Sequence, residues 1–455
     1  MSARSAGCYH HSFHRQDFIT SAGIRYGKQN GVEYRSMKHM KMIAFILAAS
    51  CLCTGCSPLP SHGSVPSEQT AEISTFASSE ETSLEEQLDY FLNDGMSLPA
   101  QDESGNVIEW SVASGHAEIT ENTLKKTEDA EEYESIVLKA EIPALDESYE
   151  LERLLLDAYS AYVISYFTSE GSDPETLKLA YTFDCKYWFK INNDNPILKP
   201  SKGTKRLRDP SLVRKKDGSF ALLATQGYDT DSIYVYDTEN LGQYTNERLL
   251  KLNASSEEQM MSEKQAWAPE GFYDWMRDAY VLIWSSKEDG GMYFSTSSDL
   301  TAVSYPSVLM SPGYPVIDGT MVRDGSEWVM LYKDESEPME DHSQLFRAVS
   351  SDGWENLGTF DGPIYDRHQV EGPMIMKALN GEGWYVVCDD YTRGAYKVLF
   401  TEDIAHGTFE EVDDADLMIP LEAPAHGSAI AITWNELQRL LEVYPDALNN
   451  QEDGQ

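Results

Sequence analysis

The sequence has few basic residues for its length. In 455 residues, 35 Lys and Arg stand against 76 Asp and Glu, and the formal net charge is −41. No stretch concentrates Lys and Arg in the way that binding to nucleic-acid phosphates requires, so the composition excludes a nucleic-acid partner. A neutral polysaccharide is compatible with this charge. Much of the acidity is explained by the solubility that it gives an extracellular protein.

Cysteine is scarce in the body of the chain. Four of the six cysteines lie within the first 56 residues, and only Cys185 and Cys388 follow. This distribution excludes a disulfide scaffold. The two later cysteines stand in strand-like runs, where we expect buried thiols rather than a disulfide.

The apolar run at 42–52 is too short to cross a bilayer, which takes about 20 apolar residues. Lys38 and Lys41 precede the run, and the letters LCTGC end it at Cys56. This arrangement resembles a bacterial lipobox, and the alternative is an ordinary secretory signal with a chance cysteine. The resemblance implies a diacylglycerol on Cys56 and an extracytoplasmic protein anchored to the bacterial membrane.

The N-terminal third divides into further segments. Residues 1–36 are interpreted as upstream sequence from an over-long translation start, and 37–55 as the lipoprotein signal peptide. Residues 56–83 are rich in Ser, Thr, Pro and Glu and are predicted to form a flexible tether. Residues 84–143 begin with a helical pattern and end with an alternating strand at 134–142. This last segment resembles atypical bacterial immunoglobulin-like domains and is interpreted as a small β-sandwich spacer.

From about residue 154 the chain repeats, and helical periodicity is nearly absent before 434–443. Apolar, aromatic-rich strands recur every 50 to 60 residues, a spacing typical of four-stranded propeller blades. They are predicted at 161–167, 220–225, 279–285, 328–332 and 384–388. The first repeat lacks an opening strand and the last lacks a central one, so the two ends are expected to share a blade. We therefore predict an all-β fold, a five-bladed β-propeller at 150–446, followed by a disordered tail at 447–455.

A strand with a distinctive opening precedes each central strand. The openings read RDPSLV, APEGFY, IDGTMV, VEGPMI and AHGSAI. Counting back from the first large apolar side chain places Asp209, Asp318, Glu371 and His426 at one repeat position. Since the first strand of each blade lines the propeller axis, these side chains are predicted to converge on one funnel. Taken singly, Asp-Pro, Asp-Gly and Glu-Gly-Pro are ordinary turn sequences.

Three acids at one axial position would resist ionising together, which favours a functional interpretation. Glycoside hydrolysis needs a carboxylate that activates water and a protonated carboxyl that assists the leaving group. A third acid can raise the pKa of that proton donor through like-charge repulsion.

The order RDP, WAPE, ID, EGP and HGS, on five-blade spacing, is similar to glycoside hydrolase family 43. The resemblance implies an inverting glycosidase that acts on oligo- or polysaccharide, of the α-L-arabinofuranosidase or β-xylosidase type. It implies Asp209 as general base, Glu371 as general acid, and Asp318 as the residue that orients the acid and raises its pKa. The letters YFT at 166–168 and KDE at 333–335, with the terminal helix, match an exo-acting branch.

Four further site residues come from the same resemblance. Trp267 and Glu270 belong to the WAPE motif, with Trp267 as a sugar platform or packing residue. Glu270 is out of phase with the acids, so we expect its side chain to point elsewhere and to support the site by hydrogen bonding. Arg208 is a substrate-binding candidate. His426 is either a core imidazole or a contact to a structural calcium on the axis; no cofactor is required.

Other functions fit the sequence less well. A β-fructosidase would carry an NDPNG segment before RDP and an EC motif after it, and neither is present. A protein-interaction propeller leaves the axial acids unexplained, and no protein partner can be named. A catalytically silent, glycan-binding surface lipoprotein remains the main alternative.

Overall fold

The computed structural model describes residues 84–257, 259–445 and 447. The predicted upstream segment, the signal peptide, Cys56 and the tether lie outside these residues, as does the predicted tail except for residue 447. Within them, no helix combines the length and the apolar character needed to cross a membrane.

The described chain begins with a small β unit. Its elements are α1 (Leu84–Gln87), β1 (Phe91–Asn93), β2 (Glu109–Ser114), β3 (Ala117–Thr120), β4 (Thr123–Lys126), β5 (Glu134–Ile142) and β6 (Glu147–Leu156). The sheet order is β1-β6-β5-β2, and β3 and β4 pair separately. The predicted strand at 134–142 is confirmed as β5. The predicted helical stretch is only one turn long, because the chain turns into β1 at Phe91.

The small β unit extends past its predicted end at residue 143, because it includes the further strand β6. β6 pairs with β5 along its length, from Glu147 opposite Ile142 to Leu155 opposite Glu134. It also pairs in parallel with β1. The unit therefore runs to Leu156. The immunoglobulin-like resemblance stays a prediction.

The remaining strands build the propeller. They are β7 (Tyr159–Tyr166), β8 (Lys178–Thr182), β9 (Trp188–Lys190), β10 (Leu207–Arg214), β11 (Phe220–Gln226), β12 (Ser232–Thr238), β13 (Thr245–Lys251), β14 (Trp267–Asp274), β15 (Ala279–Ser286), β16 (Gly291–Ser297) and β17 (Ser307–Met310). They continue with β18 (Val316–Asp324), β19 (Glu327–Asp334), β20 (Leu345–Ser350), β21 (Thr359–Asp361), β22 (Glu371–Lys377), β23 (Trp384–Asp390), β24 (Ala395–Thr401), β25 (Glu410–Glu411) and β26 (Ser428–Thr433). The 3₁₀ turns Asn192–Asp194 and Asp414–Asp416 and the helix α2 (Trp434–Val443) complete the elements.

These strands form five four-stranded sheets within the described residues. Blade one is β10-β11-β12-β13, blade two β14-β15-β16-β17, blade three β18-β19-β20-β21 and blade four β22-β23-β24-β25. Blade five has the order β26-β7-β8-β9, so its inner strand comes from the end of the chain. The predicted five-bladed propeller and its closure by the two chain ends are confirmed.

Apolar side chains hold neighbouring blades together. Between blades one and two, Leu223 and Val235 pack with Trp284 and Tyr293 in one buried cluster. The predicted central strands are among the most buried parts of the chain, and every residue of β11 is buried. Cys185 and Cys388 are buried free thiols, as expected.

The small β unit contacts the ends of the inner strands. The ring of Tyr133 lies against Gly218 in the turn between β10 and β11, where an added Cβ would come within 2.6 Å of the ring. Trp275, in the next blade, donates to the backbone oxygen of Glu85 at 3.2 Å. In blade three, Arg323 donates to Asp89 at 2.9 Å. Each contact lies at the opposite end of the inner strand from its distinctive opening.

A buried ion pair joins α2 to blade one. Arg214 Nη2 donates to Glu436 Oε2 at 3.0 Å, and both side chains are nearly inaccessible. Glu436 also forms a capping box with Thr433 at the start of α2. Burial raises the pKa of Glu436, but the hydrogen bond and charge of Arg214 lower it more, so its net pKa is lowered. The carboxylate thus connects the chain end to the first blade.

Replacing Glu436→Gln should lower the free energy of unfolding by about 3 kcal/mol, because Arg214 then keeps a buried charge without its counter-ion. Urea unfolding followed by tryptophan fluorescence measures the change. The matched control is Glu355→Gln, which breaks a half-exposed pair with Arg277 and should cost under about 1 kcal/mol. Equal losses in the two variants would contradict a role for the pair in closing the ring.

Candidate active site

A bulge near the start of each inner strand sets the axial positions. In blades one to four the register shifts between Arg208 and Ser211, Trp267 and Glu270, Ile317 and Thr320, and Glu371 and Met374. The second residue of each bulge has a positive φ: 45° at Asp209, 46° at Ala268, 57° at Asp318 and 55° at Gly372. These four positions are equivalent, because they share the same place in the bulge and the same backbone conformation. A bulge of this kind redirects the side chain that it carries.

The same spacing in blade five identifies His426 as its axial residue. Ala425 N donates to Phe167 O at 2.9 Å, and Ser428 pairs with Ser165. These partners correspond to those of Arg208 and Ser211 in blade one. His426 therefore shares the repeat position of Asp209 and Asp318, as predicted.

Glu371 does not share that position. Its register partner places it level with Arg208, Trp267 and Ile317, one residue before the axial one, which is Gly372. Counting back from the first large apolar residue missed this offset because Met374 stands at the register position that Ser211 and Thr320 occupy in blades one and three, so the apolar run begins one residue earlier in blade four. Glu371 still reaches the same cavity, which lies at the axis.

Gly372 makes room for the imidazole of His426. A Cβ at this glycine would lie 2.5 Å from His426 Cγ, closer than any side chain tolerates. His426 Nδ1 lies 3.8 Å from Asp209 Oδ1 and 3.6 Å from Asp318 Oδ1. Burial lowers the pKa of His426, but Asp318, Asp209, Glu371 and Glu270 raise it more, so its net pKa is raised. The surrounding acids thus favour the protonated, cationic form of the imidazole.

Asp318 is the buried acid of the axial set. Its backbone N–H donates to Ser285 Oγ at 3.1 Å, and its Oδ2 accepts from Gly372 N at 3.1 Å. Burial raises the pKa of Asp318 to about 6, with His426 and Lys333 acting against the rise and Glu371 adding to it. Asp318 is therefore partly protonated near neutral pH.

Glu371 lies beside a buried lysine. Lys333 Nζ donates to Glu371 Oε2 at 2.7 Å, and only 1% of the lysine side chain is exposed. Burial raises the pKa of Glu371, but the charge and hydrogen bond of Lys333 lower it more, so its net pKa is lowered. The expectation that Asp318 keeps this pKa high is therefore wrong for the free site, because Lys333 outweighs the repulsion.

The lysine belongs to a chain of alternating charges. Lys333 Nζ also lies 2.8 Å from Glu335 Oε2, and Lys287 Nζ lies 3.1 Å from Glu335 Oε1. Sequence comparison singled out 333–335 only as a motif match. A lysine inside the apolar strand β19 was the available signal that it compensates a buried charge.

Glu270 bonds to the next blade. Burial raises its pKa to about 7, while hydrogen bonds from Thr320 and the backbone of Met321 and the charge of His426 lower it. The side chain stays within electrostatic reach of Asp318 and His426. The hydrogen bonds to blade three agree with the supporting role that was expected for Glu270.

Arg208, Tyr228 and Trp267 form the rim of the site. The Arg208 guanidinium lies 4.5 Å from the ring centroid of Tyr228 and 4.6 Å from that of Phe167. Trp267 Nε1 donates to Tyr228 O at 2.7 Å, and the two rings meet edge to face. Tyr228, which sequence reasoning missed, stands in a polar loop that carried no motif. Its ring is half-exposed and available to a sugar face.

These residues surround a cavity of about 190 Å³. Its lining is Arg208, Asp209, Thr225, Gly227, Tyr228, Trp267, Ile317, Asp318, Glu335, Glu371 and His426. A larger open groove of about 700 Å³ runs along the outside of blade one, next to Tyr133 and Arg439. Among the described residues that line this groove, none belongs to the predicted site.

The residues at the axis do not fit the calcium that the family resemblance implies. Calcium takes six to eight oxygen ligands, whereas the axial centre is an imidazole that pairs with two carboxylates. Among the described residues, no group of three or more His, Cys, Asp or Glu side chains is arranged to hold a metal ion.

The comparisons with known proteins agree with this architecture. Residues 157–438 match the glycosyl hydrolase 43-related family, described as "Probable glycosyl hydrolase domain". The chain belongs to this family. The matched range begins just before β7 and ends within α2, so it covers the whole propeller. No curated protein matches the chain.

Solved family 43 structures are similar to the chain at low identity. A capybara gut metagenome protein of subfamily 12 is 14% identical, with a TM-score of 0.35, over 56% of this chain and 47% of its own length. A Bacillus licheniformis family 43 protein is 11% identical, with a TM-score of 0.39, over 60% of this chain and 56% of its own length. The α-L-arabinanase of Cellvibrio cellulosa, solved with arabinohexaose, is 14% identical, with a TM-score of 0.42, over 56% of this chain and 93% of its own length. The chain thus spans about half the length of the first two.

Gly372→Ala should abolish most activity and lower stability, because the new Cβ displaces His426 from the axis. The matched control is Gly325→Ala. Its φ of 63° is close to the 55° of Gly372, but nothing lies within 4 Å of its added Cβ. Both variants carry the backbone strain of about 1 kcal/mol, and only Gly372→Ala carries the clash. Equal activities and melting temperatures would contradict the packing of His426 on this glycine.

Proposed function

We propose that the protein is an inverting, exo-acting glycoside hydrolase that removes arabinofuranosyl or xylosyl residues, or galactofuranosyl residues, from plant or microbial polysaccharide. The observation that carries the proposal is the convergence of Asp209, Asp318 and Glu371, from three blades, on one cavity with an aromatic rim. Family membership supports the same reaction class.

The roles follow from the chemistry of glycosidic bond hydrolysis. Asp209 acts as general base and takes a proton from the attacking water. Glu371, on the other side of the axis, acts as general acid and protonates the leaving oxygen. Asp318 orients this constellation through its bond to Gly372 N and its pairing with His426.

Substrate selection is assigned to the rim. A cavity of about 190 Å³ suits one sugar ring better than a chain, which supports exo action. Arg208 offers guanidinium donors to sugar hydroxyls, while Tyr228 and Trp267 offer apolar faces. Hydrolysis in this cavity requires no cofactor.

A catalytically silent glycan-binding lipoprotein is the second candidate. The ion pair between Lys333 and Glu371 favours it, because a carboxylate held ionised cannot donate a proton. In that case the rim would bind a sugar that is never cleaved. Equal binding with no release of reducing sugar separates it from the enzyme.

Asp209→Asn and Glu371→Gln should each lower kcat by about 10³-fold, since each removes a proton-transfer group, and Asp318→Asn should cost less. The purified chain from Ser57 onward is screened against p-nitrophenyl α-L-arabinofuranoside, β-D-xyloside and β-D-galactofuranoside. The control Glu382→Gln changes an exposed acid in the turn after β22 and should leave kcat unchanged. Wild-type activity in Asp209→Asn would refute the assignment of the base.

The first sugar released should carry the inverted anomeric configuration, because water attacks from the face opposite the leaving group. Proton NMR spectra recorded before mutarotation identify the anomer. Retention of configuration would refute the pairing of a base with an acid. Hydrolysis that persists in Glu371→Gln would place the proton donor elsewhere.

Cys56→Ser should release the protein from the membrane fraction, because a lipid chain on this cysteine is the proposed anchor. Immunoblots of membrane and soluble fractions measure the distribution. Cys51→Ser is the matched control, five residues upstream and outside the LCTGC motif, and should leave the protein membrane-bound. Membrane retention of Cys56→Ser would contradict the lipobox interpretation.

A further inference from the structure

One repeat position on the central strands faces the inner-strand bulge of the next blade. Thr225, Ser285, Lys333 and Asp389 pair with Arg208, Trp267, Ile317 and Glu371 respectively, and so occupy equivalent places. Thr225 Oγ1 accepts from Ala268 N at 2.7 Å, and Ser285 Oγ accepts from Asp318 N at 3.1 Å. In these two blades the position is a neutral hydroxyl that holds the neighbouring bulge.

In the two blades around Glu371 the position is charged. Lys333 reaches the Glu371 carboxylate from blade three. Asp389 stands directly opposite Glu371 on the adjacent strand of blade four. Directly opposed side chains lie on the same face of a sheet with Cβ atoms about 5 Å apart. Glu371 is therefore flanked by a cation from one blade and a carboxyl from its own.

Asp389 is buried without a full set of partners. Only 2% of the residue is exposed, and its Oδ1 has no hydrogen-bond partner among the described residues. A buried carboxylate in this condition is costly, whereas a protonated carboxyl is tolerated. The mechanism above assigns this carboxyl no role.

The charged groups around Asp389 favour its neutral form. Burial raises its pKa to about 8, Glu371, Asp318 and Asp390 add to the rise, and Lys333 opposes it. Asp390 points to the other face of the strand and pairs with Arg367. On the neighbouring strand β24, opposite Asp389, Tyr396 donates its hydroxyl proton to Ala425 O.

We propose that Asp389 holds the proton that Glu371 donates to the leaving group. The inference rests on the proposed glycosidase function and makes Asp389 a positioning residue, because it acts through Glu371 and touches no substrate. In the resting site Lys333 keeps Glu371 ionised while Asp389 is neutral. A sugar in the cavity excludes water and favours transfer of the proton from Asp389 to Glu371, since two buried carboxyls share one proton.

The protons balance over one turnover. Glu371 gives its proton to the leaving oxygen as that bond breaks, and water adds to the anomeric carbon while its proton passes to Asp209. Asp209 then releases this proton to solvent. After the products leave, Asp389 takes one proton from solvent, so one water is consumed for each bond.

The test compares Asp389→Asn with Asp390→Asn in the full chain, using pH profiles of kcat/KM. In Asp389→Asn only the low pKa of Glu371 remains, so the alkaline limb should move down by about one pH unit or more. Asp390→Asn breaks the buried pair with Arg367 and should lower stability, but it should move the limb far less, because Asp389 is kept and only one of the negative charges around it is removed. An unmoved limb in Asp389→Asn would overturn the proposal.

A second measurement does not depend on activity or on the folding of Asp389→Asn. Carbon-13 NMR of labelled aspartate in the wild type should show a carboxyl that titrates above pH 7. That titration should shift to lower pH in Glu371→Gln, where the neighbouring negative charge is gone. Absence of such a carboxyl would overturn the proposal. An inactive wild type that shows the coupled titration would refute the glycosidase function and the donation step, while supporting the carboxyl pair.

Discussion

The geometry of the site depends on a backbone bulge repeated in the inner strands. In blades one to four each bulge places one residue in the left-handed region, and in blades one and three this residue is an aspartate that lines the axial cavity. Aspartate tolerates this conformation better than most side chains do, and Gly372 tolerates it freely. The bulges thus place Asp209 and Asp318 at the centre, while Gly372 leaves room there for His426. Their chemistry is a consequence of that placement.

Charge at the centre is organised in pairs across blades. His426 lies between Asp209 and Asp318, and Lys333 from blade three contacts Glu371 of blade four. Because a buried ion is stable only beside its counter-ion, the ionisation states of Asp209, Asp318 and Glu371 depend on cations from other blades. This dependence gives a modular fold a single cooperative centre. It also separates the carboxyls into ionised and protonated ones, which acid–base chemistry requires.

The fold was largely predictable from the sequence, and the site was predictable in part. Apolar strands at regular spacing and the missing partners at the two ends predicted the five blades and the pairing of β26 with β7. The axial position of His426 was predicted by counting back from the first large apolar side chain of each inner strand. The offset of Glu371 was not predicted, because the large apolar Met374 stands where the other blades carry small residues such as Ser211 and Thr320, and this moved the start of the count by one residue. Asp389 and Lys333 were missed for another reason: the strand pattern records burial, and a charge partner from a neighbouring strand or blade leaves no mark at fixed spacing.

The small β unit sits at the far ends of the inner strands, at Gly218, Trp275 and Arg323. The axial cavity lies at the other end of those strands. The small β unit and the cavity therefore lie at opposite ends of the inner strands. A label attached to the small β unit would leave the cavity entrance unobstructed, whereas insertions in the loop that carries Tyr228 would reshape it. Attachment and specificity can thus be altered independently in this molecule.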